Sequence, residues 1–160
     1  MTGGRAAPSV HAAALIIAEA GVLIKGASGS GKSALALACI EAAKAQGFFA
    51  ALVSDDRVRL ARRDGRVIAS AHPAIAGQIE RRGLHIERAQ FCSQAVLRLV
   101  VGMVSVRPEA AALPRLPWSE ASLTRICDIS VPFLSIDANR DRADQVALLF
   151  AALKAATPQS

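Results

Sequence analysis

One stretch of eight residues limits what this chain can fold into more than any other feature. Residues 26–33 read GASGSGKS and satisfy the pattern G-x-x-x-x-G-K-[ST]. This pattern indicates a phosphate-binding loop only where it lies between a strand and a helix. Both flanks fit that requirement. The apolar residues 21–25 predict a strand, while residues 34–45 are almost all helix-forming and stop at Gly47. We therefore predict an α/β domain organised around a strand, a glycine loop and a helix.

The residue types in this loop are suited to a polyphosphate. Glycines let successive backbone N–H groups turn toward phosphate oxygens, and the following helix adds its positive end. Lys32 supplies a point charge for the β- and γ-phosphates, and Ser33 supplies a hydroxyl for Mg²⁺. The candidate nucleotide-binding residues are Gly26, Ala27, Ser28, Gly29, Ser30, Gly31, Lys32 and Ser33. The expected ligand is a nucleoside triphosphate with Mg²⁺.

Two carboxylates follow the next apolar run. Residues 48–53 are typical of a buried strand, and Asp55 and Asp56 come at its carboxyl end. Neighbouring side chains of an extended segment point to opposite faces, so one carboxylate should serve metal and phosphate and the other the acceptor. The sequence leaves open which does which. It also leaves open an NTPase, whose second carboxylate orients water, and a kinase, whose second carboxylate accepts a hydroxyl proton.

The remaining pattern predicts more strands and one more helix. Strands are predicted over residues 10–18, 57–61, 66–70, 95–101 and 129–136. Asp64 and Gly65 suit a tight type I′ hairpin turn, and Pro132 favours an edge position for the last strand. The segment 141–156 has its apolar residues at helical spacing. Residues 75–86 are expected to be irregular, and the prolines between 108 and 117 mark a loop.

Length and composition favour one ordinary domain. The chain has 160 residues, 52% of them hydrophobic, and no internal repeat or linker. We therefore expect a single domain over 1–160, with flexible ends at 1–8 and 157–160. Its longest apolar stretches, such as 12–18, are far shorter than the roughly 20 residues of a membrane helix. The N-terminus lacks the apolar segment of a secretory signal, so a cytoplasmic protein without a membrane contact is expected.

Charge and cysteine content narrow the choice of ligands. The net charge of +6 suits an anionic ligand or an acidic protein partner. Only 4% of residues are aromatic, with no Tyr, which argues against base stacking and therefore against nucleic acid. Cys39, Cys92 and Cys127 are odd in number and lie in apolar segments. They are expected to be reduced core thiols.

The order of the motifs resembles one known family. His11, residues 21–24, the glycine loop, Val53-Ser-Asp-Asp56 and residues 80–86 are together similar to the C-terminal kinase domain of HPr kinase/phosphorylase. Residues 80–86 read ERRGLHI where the family has E-I-R-G-[LI]-G-I. The resemblance covers roughly residues 8 to 100 and is much more specific than the glycine loop alone.

The resemblance implies a P-loop-containing, phosphoenolpyruvate-carboxykinase-like mixed sheet with flanking helices. It implies a kinase that uses ATP or pyrophosphate to phosphorylate a serine of the phosphocarrier protein HPr, and that removes this phosphate by attack of inorganic phosphate. Carried over by motif, Ser33 and Glu80 would hold Mg²⁺, and Lys32 the phosphates. Asp55 and Asp56 would act as general base or acid, and His11 would lie beside the phosphates. The chain would be a short form without the family's N-terminal domain, and a homo-oligomer.

One family feature has no match here. The family's later R-P-G-R-N loop is replaced by residues 130–141, which read SVPFLSIDANRD. In the family, the arginine of that loop helps phosphoryl transfer and contacts a neighbouring subunit, so its absence bears most on phosphorolysis and hexamer formation. Arg140 and Arg142 are the candidates to compensate for it. An ATP-binding regulatory module with little transfer activity is therefore the alternative. A nucleic-acid-dependent NTPase has only the net charge and the arginines between 57 and 66 in its favour.

Overall fold

The computed structural model describes residues 9–71, 91–105 and 123–156. These ranges contain β1 (Ser9–Val10), β2 (Ala12–Ile17), β3 (Ala20–Gly26), α1 (Lys32–Ala45), β4 (Ala50–Ser54), β5 (Val58–Arg63), β6 (Arg66–Ala71), β7 (Gln94–Val104), β8 (Leu123–Ile126), β9 (Ile129–Asp137) and α2 (Arg142–Ala156). The predicted irregular segment, the predicted proline loop, Glu80 and both predicted flexible ends lie outside the described residues.

The strands form one mixed sheet. Its order is β1-β5-β6-β7-β3-β2-β4, with β9 alongside β7 and β8 on the far side of β9. The long strand β7 is parallel to β3 and to β9, and the other pairings are antiparallel. Because β7 pairs first with β6 and then with β9, it joins two parts of the sheet. The mixed α/β architecture expected from the sequence is confirmed.

Both helices pack on one face of this sheet. Their buried side chains, among them Leu35, Cys39 and Leu149, join a core with alternate residues of the strands, such as Leu15 and Ile24. The strands β2 and β3 are buried on both faces over most of their length, as an apolar run without alternation predicts. The strand that leads into the glycine loop therefore lies at the centre of the domain.

The opposite face of the sheet is covered by the sheet itself. A second core joins residues of β2, β3 and β4, such as Leu23 and Val53, to residues of β5 and β6, such as Leu60 and Val67. Although β4 and β6 are far apart in the strand order, they contact each other. The sheet is therefore curled, and its β5–β6 hairpin lies over the face that carries no helix.

Three strand predictions need correction. The last strand, β9, is not at an edge, because it pairs with β7 on one side and with β8 on the other. Pro132 pairs only toward β8, since the pairing with β7 begins at Phe133.

The strand expected over residues 10–18 is broken at His11, which lies in a bend between β1 and β2. The strand expected from residue 48 begins at Ala50, because Phe48 closes the end of α1 through its N–H to Ala43 O. The side chains of Phe48 and Phe49 are half-exposed as a result.

Two tight hairpin turns have positive φ at both central residues, and only one of them could be predicted from the sequence. Asp64 and Gly65 both have positive φ, 53° and 73°, which confirms the predicted hairpin turn. Cys127 and Asp128 adopt the same kind of turn, with φ of 51° and 64°, and join β8 to β9. The strand β8 was not predicted, since neither residue of this turn is glycine.

The cysteines are free, as expected, but differ in burial. Cys39 is fully buried, while Cys92 and Cys127 are half-buried. Burial raises the pKa of the Cys39 thiol to about 12, and the charge of Arg142 acts in the opposite direction. Neither helix in the described part of the chain is long and apolar enough to cross a bilayer.

Candidate active site

The glycine loop, residues 26–33, connects the centre of the sheet to the first turn of α1. Gly31 is the residue before the helix and has a φ of 96°, a backbone conformation that favours glycine. Its carbonyl accepts the first helical hydrogen bond, from the N–H of Leu35 at 2.9 Å. At the other end, a Cβ on Gly26 would lie 2.9 Å from the Cβ of Met103. The glycines thus permit both the turn and the close approach to β7.

Lys32 is folded onto the loop that carries it. Its side chain is buried, and Nζ donates to Gly26 O at 2.9 Å and to Ala27 O at 3.1 Å. The hydroxyl Oγ of Ser30 is buried as well and has no hydrogen-bond partner among the described residues. A buried hydroxyl without a partner is costly, and an oxygen-rich ligand in the loop would satisfy it. The loop therefore fits a phosphate chain.

The first of the two carboxylates faces the loop. Ser33 Oγ donates to Asp55 Oδ1 at 2.6 Å, so the start of α1 is tied to the segment that follows β4. A serine hydroxyl and a carboxylate are oxygen donors of the kind that Mg²⁺ takes. Within the described ranges, no group of three or more His, Cys, Asp or Glu side chains is gathered for a metal.

The second carboxylate has a different partner from the first. Asp56 Oδ1 lies 2.8 Å from Nε2 of His11, and the two side chains are 76% and 50% exposed. They line an open cleft of about 420 Å³ together with Ser9, Val10 and Arg57. This pair is therefore accessible to a large partner.

A turn produces this division of the carboxylates. Asp56 has a φ of 73°, and Ser54, which is 1% exposed, donates through Oγ to the carbonyl of Arg57. The chain therefore bends at Asp55 and Asp56 and does not continue as a strand. Sequence reasoning missed Ser54, although a serine beside two aspartates is a common turn signal.

The described structure thus brings together most of the predicted site. The loop, Asp55, Asp56 and His11 adjoin one another, while Glu80 lies outside the described residues. The class of protein is thus a mixed-sheet α/β protein, with its candidate site where the glycine loop meets Asp55 and Asp56.

Comparison with known proteins identifies the family. Residues 5–158 match the HPr Serine kinase C-terminal domain, and the chain belongs to that family. The resemblance noted in the sequence is confirmed and extends over nearly the whole chain.

Individual relatives agree with this assignment. The HPr kinase/phosphorylase of Lactobacillus acidophilus is 28% identical over 153 residues, 91% of this chain and 45% of the relative. That of Mycoplasma mycoides subsp. mycoides SC is 41% identical over 76 residues, 48% of this chain and 22% of the relative. The chain therefore spans less than half the length of these two curated relatives.

A solved structure shares the fold. The Hpr(Ser) kinase/phosphatase from Coxiella burnetii superposes with a TM-score of 0.68 at 25% identity, covering 92% of this chain and 94% of that chain.

Proposed function

We propose that this chain is a cytoplasmic, ATP-dependent protein kinase that phosphorylates a serine of HPr. The family and the names of its relatives support this substrate. One observation carries the proposal: two consecutive carboxylates have different surroundings. Asp55 contacts the glycine loop, and Asp56 lies in the open cleft with His11. A kinase needs one group that serves the phosphoryl donor and one that serves the acceptor hydroxyl, close together in space. We also propose that the sheet is of the phosphoenolpyruvate-carboxykinase-like kind.

The glycine loop would hold the phosphate chain of ATP. Its backbone N–H groups and the start of α1 attract anions, and the unpartnered hydroxyl of Ser30 adds a donor. Lys32 would exchange its hydrogen bonds to Gly26 O and Ala27 O for phosphate oxygens. Exchange of neutral for anionic acceptors strengthens each bond, so the buried lysine would favour the bound state.

Ser33 and Asp55 are the residues that would hold Mg²⁺, and Glu80 joins them by resemblance to the family motif. When bound, Mg²⁺ neutralises charge on the transferring phosphate. Asp55 keeps the Ser33 hydroxyl oriented at 2.6 Å, which fixes the oxygen donors before the ligand arrives.

Asp56 would accept the proton of the attacking serine. The serine oxygen of HPr bonds to the γ-phosphorus, the bond from that phosphorus to the bridging oxygen breaks, and ADP leaves with the electron pair. The hydroxyl proton passes to the Asp56 carboxylate, which His11 orients from 2.8 Å. Because Asp56 is largely exposed and His11 is half-exposed, a folded protein substrate can reach them.

The same residues could serve the reverse direction. In phosphorolysis, inorganic phosphate attacks phosphoserine and pyrophosphate forms, while Asp56 returns a proton to the serine oxygen. We propose this as a secondary activity of the same site. ATP, Mg²⁺ and HPr are thus the cofactors and the partner that we assign, and we keep a homo-oligomer as the proposed assembly.

The proposal is tested by incubating the chain with HPr and γ-labelled ATP and following label into acid-stable phosphoserine. HPr with its target serine replaced by alanine is the substrate control, and Lys32→Ala is the enzyme control. We expect labelling only with the two unmodified proteins. ATP binding without any labelling of HPr would instead support the regulatory module.

A further inference from the structure

The first residue of α2 lies against the glycine loop. Arg142 Nη1 is 3.4 Å from the carbonyl oxygen of Gly31, although the two residues are 111 positions apart. A Cβ on Gly31 would lie 3.1 Å from Nη2 and 3.3 Å from Nη1 of the same guanidinium. The cation therefore covers the last glycine of the loop, at the point where α1 begins.

A buried glutamine holds this guanidinium in place. Gln145 is 1% exposed, and its Oε1 accepts a hydrogen bond from Arg142 Nη1 at 2.6 Å. Its Nε2 donates to Asp137 O at 3.0 Å and to Ala138 O at 3.3 Å, at the end of β9. The amide thus connects the arginine to the sheet, and the guanidinium is positioned by a group that is itself fixed.

The guanidinium retains its charge and most of its donors for another ligand. No carboxylate of the described residues lies within salt-bridge distance of it, and both described hydrogen bonds leave from Nη1. A guanidinium carries five N–H donors in a planar fork that suits phosphate. Arg142 is also exposed to solvent, so an anion in the loop can reach it.

We propose that Arg142 is a second cation of the phosphate site and that Gln145 is its positioning residue. This inference rests on the proposed nucleotide binding. Arg142 would bind phosphate oxygens beside Gly31, whereas Ser33 and Asp55 would hold the metal. The phosphate site would then have two cations: the compact ammonium group of Lys32 and the planar guanidinium of Arg142.

The test is calorimetric binding of MgATP and of magnesium tripolyphosphate, which has no nucleoside. We expect Arg142→Ala to weaken both ligands about 10- to 100-fold, because charge-assisted hydrogen bonds are lost. Arg142→Lys should recover only part of the loss, since the fork is absent. Arg140→Ala removes an equal charge two residues away and should bind both ligands as the unmodified chain does.

A double-mutant cycle tests the role of Gln145. Gln145→Met keeps a long side chain but removes the amide, and it should weaken binding when Arg142 is present. In the Arg142→Ala background it should cause no further loss, because its effect passes through the guanidinium. Thermal unfolding of each variant shows whether the fold survives. A merely structural glutamine would weaken binding equally in both backgrounds.

Three results would overturn the inference. They are unchanged affinity in Arg142→Ala, equal losses in Arg140→Ala and Arg142→Ala, or loss of ATP binding with tripolyphosphate binding unchanged. Each of these leaves the proposed function standing, because the unmodified chain still binds MgATP. If the unmodified chain binds neither ligand, the proposed function fails first.

Discussion

Ser33 and Asp55 are joined by a 2.6 Å hydrogen bond from Oγ to Oδ1, across 22 positions of sequence. The bond links the first turn of α1 to the turn after β4. The helix α1 packs against β2, and β4 pairs with β2. Asp56, the next residue, contacts His11 instead. One short turn therefore connects the loop to the open cleft.

Lys32→Ala should weaken MgATP binding strongly and abolish labelling of HPr. The lysine is buried and already held by two loop carbonyls, and each charge-assisted hydrogen bond to phosphate is worth about 1.5–3 kcal/mol. Isothermal calorimetry measures the binding, and circular dichroism checks the fold. Lys44→Ala, in the exposed last turn of α1, is the matched control. Normal ATP affinity in folded Lys32→Ala would contradict the role given to the loop.

Ser33→Ala should raise the Mg²⁺ concentration needed for activity, while Ser33→Thr should not. Ser33→Ala removes the hydroxyl, whereas Ser33→Thr keeps it and adds a methyl group, and the loop pattern accepts either serine or threonine. Titration of activity with Mg²⁺ at fixed ATP gives the half-saturating concentration. Glu80→Gln should shift it in the same direction. If Ser33→Ala keeps the metal dependence of the unmodified chain, the hydrogen bond between Ser33 and Asp55 serves the fold and not the metal.

Cys39 should make the stability of the protein fall at alkaline pH. Its pKa is raised from 9.0 to about 12 by burial, so the folded state keeps its proton while the unfolded chain loses it. The stabilising contribution is complete below pH 9 and is lost as the pH rises toward 12. The chain has no Tyr to titrate in this range.

Urea unfolding between pH 9 and 11 measures this effect. The free energy of unfolding should fall less steeply with pH in Cys39→Ala than in the unmodified chain. Cys92→Ala, at a half-buried cysteine, is the control. Equal slopes in the unmodified chain and Cys39→Ala would show that the thiol ionises as easily in the folded state.

The centre of the fold could be predicted because its signals are local. The strand before residue 26, the loop and the helix after it follow from adjacent residues, as does the turn at Asp64 and Gly65. The parallel pairing of β3 with β7 joins segments about 75 residues apart, and such pairing depends on packing that no short window of sequence contains.

The candidate site, too, could be predicted only where its signals are local. The loop residues and the two aspartates were predicted from their types, whereas His11 and Glu80 were predicted only from the family resemblance. The division of Asp55 from Asp56 was expected from the alternation of an extended strand. The division is present, but a turn with positive φ at Asp56 produces it.

Arg142 was expected only as a candidate to replace the family's loop arginine. Its contacts with Gly31 and Gln145 were not predicted, because they depend on how α2 packs.

The two carboxylates should differ when each is replaced by its amide. Asp56→Asn removes the proposed proton acceptor and leaves the loop contact of Asp55 in place, so MgATP affinity should stay near normal. Serine phosphorylation should fall at least about 100-fold, within the range of about 10²–10⁴ for general base catalysis. Asp55→Asn should lower both MgATP affinity and transfer, since it lies on the metal side.

Binding by calorimetry and single-turnover transfer to HPr separate these two effects. Any phosphate-dependent dephosphorylation of phosphoserine HPr should fall in Asp56→Asn to a similar extent, because one residue is base in one direction and acid in the other. His11→Ala should cause a smaller loss, as it removes only the group that orients Asp56 at 2.8 Å. If Asp55→Asn is the variant that spares affinity, the roles of the two residues are exchanged. If neither substitution changes phosphorylation of HPr, the kinase assignment itself fails.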